Sequence, residues 1–200
     1  MKTKFFLHGG NTSNDSSFWQ NMVAMVRTMF SDSEEIKILI IPFSIENEKG
    51  FDTETYTIMD RLNKFNINLK GAVKTAMRDP EVFREQLKDS NLIFVSGGNG
   101  HMLKYRLTSL LPVDELREIV KENKVIAGVS AGANIWTRNH WSNLGAMVVQ
   151  GLGFVDIDLI PHYTPEEKIE AEMEISKLNS GYELIKLSDY EYKVFEMNQG

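Results

Sequence analysis

The chain has no cysteine, and that absence excludes disulfides, thiolate metal sites and a cysteine nucleophile. Proline is sparse, with five in 200 residues, and no stretch rich in Pro, Gly or Ser divides the sequence, so one domain over residues 1–200 is expected. No apolar run approaches the roughly 20 residues that cross a bilayer. The opening Met1-Lys2-Thr3-Lys4-Phe5-Phe6-Leu7 places two positive charges before apolar residues, but His8-Gly9-Gly10 ends the run far short of a secretory core. A cytoplasmic protein without a membrane partner is therefore expected. Positive charge is also short: 22 Lys and Arg against 28 Asp and Glu leave a net charge of −6. Nucleic-acid binding rests on clustered cations that release counterions from phosphate, so a nucleic-acid partner is not expected. The acidic run from Glu166 to Glu174 reads as a solvated helix face.

What is present is an alternation of short apolar runs with amphipathic stretches, the pattern of a parallel sheet covered by helices. Strands are expected at Lys4–His8, Ile36–Ile41, Asn68–Val73, Asn91–Val95, Lys124–Val129, Phe154–Ile160 and Tyr182–Leu187, with Tyr190–Met197 as a hairpin partner. Helices are expected from Phe18 through Met29, over Thr53–Lys64, after Asp79-Pro80-Glu81, through Leu103 and Leu107, from Pro112, through Ile135 and Trp136, and over Pro165–Leu178. Asp79 is suited to an N-cap and Pro80 to the first helical turn. The fold class is a three-layer α/β/α sandwich with a mostly parallel sheet. In such folds ligands gather at the carboxyl ends of the strands.

Three segments at expected strand ends carry the chemistry. Gly128-Val129-Ser130-Ala131-Gly132 fits G-x-S-x-G, in which small neighbours let the chain turn tightly from strand to helix and push the serine hydroxyl into the open. The same turn aims the amide of Ala131 at an oxygen bound beside Ser130. An ordinary packing turn is the competing reading of that pattern taken alone. Ser96-Gly97-Gly98-Asn99-Gly100 permits close backbone approach to a ligand, and Gly98 is a candidate second amide donor, with Asn99 beside it; the competing reading is a helix entry. A serine hydroxyl needs a base, and histidine is the usual one. Of the four histidines, His162 in Ile160-Pro161-His162-Tyr163 follows a strand directly and is the best placed. His8, His101 and His140 read as surface or binding-loop residues, His140 in a polar loop beside Trp141. His8-Gly9-Gly10 is similar to an esterase oxyanion loop, but only 70 residues follow Ser130, too few for the late acid and histidine of that fold.

Ser96-Gly97-Gly98-Asn99, Gly128-Val129-Ser130-Ala131-Gly132-Ala133-Asn134 and Pro161-His162-Tyr163, in that order and spacing, resemble peptidase E and its cyanophycinase relatives. The resemblance implies a fold similar to class I glutamine amidotransferases, of flavodoxin-like layering. It implies a serine nucleophile at Ser130, a base at His162, and an oxyanion hole from the Gly98 and Ala131 amides, with no metal and no cofactor. The aspartate that peptidase E carries after its serine helix has no counterpart, because Thr137–Ala146 contains no acidic residue. Asp189, in the place of the acid that orients the histidine in the cyanophycinase branch, is the first choice for third member; Asp156, Asp158 and Glu166 are alternatives. The basic segment that recognises an N-terminal aspartate is replaced by Thr164-Pro165-Glu166-Glu167-Lys168-Ile169, with Lys168 its one cation, which argues against strict Asp-X specificity. The family's hairpin extension is also missing at the end of the chain. The resulting expectation is a serine dipeptidase or short-peptide hydrolase whose partner is a small peptide, with a pocket that a second subunit of a homodimer would complete. The alternative is an inactive relative that binds a ligand or a protein at the same pocket.

Overall fold

Strand residues point alternately to the two faces of a sheet, so a strand buried on both faces must be apolar at every position. Ile38–Ile41 and Leu92–Val95 are of this kind, and all eight residues are buried. The computed structural model describes residues 1–12, 15–30, 35–64, 73–121, 123–166 and 168–198. In it a six-stranded sheet is built from β1 (Lys4–His8), β2 (Ile38–Ile41), β3 (Val73–Thr75), β4 (Leu92–Val95), β5 (Val125–Val129) and β10 (Tyr192–Glu196), in the order β10-β1-β5-β4-β2-β3. The pairs are parallel except β1 with β10.

The alternation divides the core in two. Phe6, Ile38, Ile40, Phe94 and Ala127 face α1 (Ser16–Met29) and α2 (Gly50–Lys64). Phe5, Leu7, Leu39, Ile41, Val95 and Ile126 face α3 (Pro80–Asp89), α4 (Gly100–Leu110), α5 (Val113–Val120) and α6 (Ala131–Asn134). This gives the helix–sheet–helix layering expected from the sequence. The capping signal before α3 is also realised: the Asp79 carboxylate accepts from the Val82 amide at 2.9 Å, with Pro80 in the first turn.

The C-terminal third departs from the expectation. The helix expected through Ile135 and Trp136 stops at Asn134, and the chain turns back into β6 (Asn139–Ser142) and β7 (Met147–Gln150), an antiparallel pair. With β8 (Ile157–Ile160) and β9 (Glu183–Lys186) they form a second sheet, in the order β7-β6-β8-β9. One face of it joins the main core through Ile157, Leu159, Ile185 and Leu187. The other holds Trp141 and Ile160 against α7 (Ile169–Lys177). The expected hairpin partner, β10, crosses to the edge of the main sheet instead, where its extended backbone satisfies the open edge of β1. Of the strand expected at Asn68–Val73, residues 68–72 lie outside the described residues, and β3 begins at Val73. Among the described residues, no helix is long and apolar enough to cross a membrane.

Candidate active site

The turn from β5 to α6 is as tight as its composition suggests. A Cβ on Gly128 would lie 2.1 Å from the Gly132 carbonyl oxygen, and one on Gly132 would lie 2.1 Å from that of Val95, so neither position admits a side chain. Between them Ser130 is held at φ 51° and ψ −111°, a conformation that L residues rarely adopt. The Ser130 amide donates to the His8 carbonyl on the neighbouring strand at 2.9 Å.

His162 arrives from the other sheet, two residues beyond β8, also with a positive φ of 51°. Its Nε2 lies 2.7 Å from Ser130 Oγ. Its Nδ1 is hydrogen-bonded to Asp189 Oδ1, which follows β9. With the carboxylate accepting, Nδ1 carries the hydrogen and Nε2 offers its lone pair to the hydroxyl. The other acids have different partners. Asp156 accepts from Arg138 Nε at 2.7 Å and Asn198 Nδ2 at 2.8 Å, and Asp158 accepts from Asn139 Nδ2 at 2.8 Å and from Ser180 Oγ. Glu166 is exposed in the turn before α7.

Ser130, His162 and Asp189 open onto a cavity of about 640 Å³ that Gly97, Gly98 and Ala131 also line. Among the described residues, neither the Gly98 nor the Ala131 amide donates to a backbone carbonyl outside the regular elements. Ser44 fixes this loop: its Oγ donates to the Gly97 carbonyl at 2.7 Å, and its own carbonyl accepts from the Asn99 amide at 2.9 Å. Asn99 is not among the lining residues. Its side chain caps α4 by accepting from the Met102 amide at 3.1 Å, so the helix-entry reading of this segment is the one its side chain displays.

Sequence reasoning missed part of the wall. Gly10 lines the cavity, and a Cβ there would lie 2.0 Å from Asp189 Oδ1 and 2.5 Å from His162 Nδ1. Asn134, one helical turn beyond Ser130, lines it too, and among the described residues its Oδ1 has no hydrogen-bond partner. Ser142, Asn143 and Leu144, in the stretch where the family's aspartate is absent, also line it. His140 belongs here as a buried residue of β6, not of a polar loop; burial lowers its pKa to about 4, and Lys104 and His101 act in the same direction. His8, likewise, is fully buried rather than at a surface. None of these could be read from local pattern, because strands distant in sequence bring them together.

The model of peptidase family S51 matches residues 5–196 of the chain. A Drosophila melanogaster protein described as an alpha-aspartyl dipeptidase is 27% identical over 145 residues, which cover 70% of this chain and 57% of that protein. Peptidase E of Shewanella amazonensis is 32% identical over 120 residues, covering 58% of this chain and 49% of the relative. The chain thus spans about half the length of these curated relatives. Among solved structures, a peptidase from an acI-B1 actinobacterium superposes with a TM-score of 0.71 at 18% identity, covering 98% of this chain and 84% of the other. A Listeria monocytogenes protein assigned to peptidase E superposes with a TM-score of 0.61 at 20% identity, covering 99% and 100%. At these identities the superpositions speak to the fold.

Proposed function

The chain belongs to peptidase family S51, and on that premise we propose that it is a serine peptidase acting on short peptides. Ser130 Oγ attacks the scissile carbonyl while His162 Nε2 takes its proton and passes it to the departing amine; water then attacks the acyl-enzyme by the same route. Asp189 holds the imidazole in the tautomer this requires and stabilises the imidazolium formed in each step. The Gly98 and Ala131 amides receive the negative charge that develops on the carbonyl oxygen. The observation that carries the reading is the hydrogen bond of 2.7 Å between Ser130 Oγ and His162 Nε2, with Asp189 on the other ring nitrogen.

The cavity supports a small substrate, since about 300–1,000 Å³ is the usual range for compact ligands. Among the described residues, no Lys or Arg lines it. Lys168 Nζ donates to Oδ1 of the lining residue Asn143 at 3.0 Å. A substrate carboxylate would therefore meet amides rather than a facing cation, and we read the specificity as broader than peptides with an N-terminal aspartate.

A fluorophosphonate probe followed by peptide mass mapping tests the mechanism. The folded protein is expected to be labelled at Ser130, and Ser130→Ala to lose both labelling and peptide turnover by about 10³-fold or more. Folded protein that takes up no label would sink the enzyme reading and leave a binding role for the same cavity. A panel of dipeptides differing in the first residue then reads the specificity.

A further inference from the structure

We propose that His8 and Asp15 form a second, buried imidazole–carboxylate couple that positions the relay of Ser130, His162 and Asp189 by holding the Gly9-Gly10 turn. The inference rests on the catalytic reading above and adds residues that touch no reacting atom.

The hydrogen bonds of His8 define one tautomer. Its Nε2 lies 3.1 Å from Asp15 Oδ2, and an ionised carboxylate only accepts, so Nε2 carries the hydrogen. Nδ1 is then a bare acceptor, and the Gly10 amide donates to it at 3.0 Å. Burial works to raise the Asp15 carboxyl, but hydrogen bonds from Ser17 Oγ at 2.7 Å and the Phe18 amide at 3.0 Å, with His8, outweigh it and hold the group ionised. Those bonds also fasten the carboxylate to the first turn of α1. The ring of His8 is fully buried edge-on to Phe18, with centroids 4.8 Å apart, and burial lowers its pKa, which keeps it neutral and Nδ1 free to accept.

The turn so held touches every member of the relay. The His8 carbonyl accepts from the Ser130 amide at 2.9 Å, and the Gly9 carbonyl accepts from the His162 amide at 3.2 Å. Gly9 packs on the segment that leads to Asp189, where a Cβ would lie 2.1 Å from the Ser188 carbonyl oxygen. Gly10 abuts Asp189 Oδ1 and His162 Nδ1 themselves. Nucleophile, base and acid come from three segments separated by 32 and 27 residues, and residues 8–10 are the common surface against which they are set. An apolar residue would fill the end of β1 without the cost of burying an imidazole and a carboxylate, which is the physical reason to assign the pair a task.

Three variants separate the tautomer from the packing. Asp15→Asn keeps Oδ1 to cap α1 but presents an amide to His8 Nε2, which drives the hydrogen to Nδ1, where it opposes the Gly10 amide. His8→Phe removes both polar atoms, and His8→Asn restores an acceptor near the Nδ1 position. With a chromogenic short peptide, Asp15→Asn and His8→Phe are expected to lower kcat about 10–100-fold with KM changed by less than about twofold, His8→Asn recovering part of the loss. Proton NMR supplies a readout that needs no turnover: the downfield resonance of the His162 Nδ1 hydrogen, identified by its absence in Asp189→Ala, is expected to shift or broaden in Asp15→Asn. If Asp15→Asn and His8→Phe are folded by circular dichroism and match the parent in both kcat and this resonance, the positioning role is overturned. If the parent protein neither turns over peptide nor labels at Ser130 while Asp15→Asn still moves the resonance, the peptidase reading fails and the positioning role stands.

Discussion

Ser130 and His162 are both held at positive φ, a backbone conformation that costs a non-glycine residue about 1–3 kcal/mol and persists only where its surroundings fix it. Here those surroundings are the backbone bonds to the Gly9 and His8 carbonyls and the glycine contacts around the elbow. His140 is a residue whose chemistry folding displaces strongly. Its pKa of about 4 against an ordinary 6.5 means that between these values the unfolded chain binds a proton that the folded chain refuses. Its contribution to stability is therefore complete above pH 6.5 and declines as pH falls towards 4, by on the order of 3 kcal/mol at about 1.36 kcal/mol per unit. His8, also lowered by burial, works in the same direction. Urea midpoints are expected to drop between pH 7 and pH 4.5, and His140→Gln to flatten that slope; an unchanged slope would show that His140 is protonated at no cost. The serine and the histidine could be singled out in the sequence because their types and neighbours are distinctive, whereas Asp189 was a first choice only through the family resemblance, with Asp156, Asp158 and Glu166 as alternatives. Gly10, Asn134 and Ser44 could not be singled out, since a glycine, an asparagine and a serine gain their meaning here only from what stands opposite them.

At the scale of elements, α1 shows how a local pattern becomes a packed face. The spacing of Phe18, Trp19, Met22, Val23, Val26 and Met29 puts them on one side, and all are buried. Trp19 stacks on Phe94 of β4 with centroids 5.4 Å apart, while its Nε1 donates to the Thr12 carbonyl at 2.9 Å. Truncation opens a cavity and orphans that carbonyl, so Trp19→Ala is expected to cost about 3–5 kcal/mol in urea denaturation, and a loss below about 1 kcal/mol would refute the packing account. The main strands and the amphipathic helices were legible because period two and period 3.6 are local properties. The β6–β7 pair was not. Asn139–Ser142 has no clean alternation, and its pairing with β8 is decided by a contact 19 residues away in sequence.

At the scale of the whole molecule, one hydrophobic cluster runs from Phe5 and Ile126 of the large sheet to Leu159 and Ile185 of the small one. The relay straddles the same junction, with Ser130 on the first sheet and His162 and Asp189 on the second. We propose on this ground that residues 1–200 are one domain. Calorimetry is then expected to show a single transition, with equal calorimetric and van't Hoff enthalpies, monitored equally by tryptophan fluorescence and far-ultraviolet circular dichroism. Two separable transitions would mean that the sheets fold independently and that the site is assembled by docking.

The amino-acid sequence by itself determined the layered α/β architecture, the elbow at Ser130 and the candidacy of His162, because strand and helix periods, turn glycines and residue chemistry act over a few neighbours; Asp189 was marked out from the other acids only by the family resemblance. Only the tertiary structure decided that the last third forms a second sheet, that β10 closes the edge of β1, and that the first loop lies beneath the relay. Those outcomes depend on which distant strands pair and which carbonyls face which amides, and such pairings are fixed by the collective burial of the whole chain rather than by any segment of it.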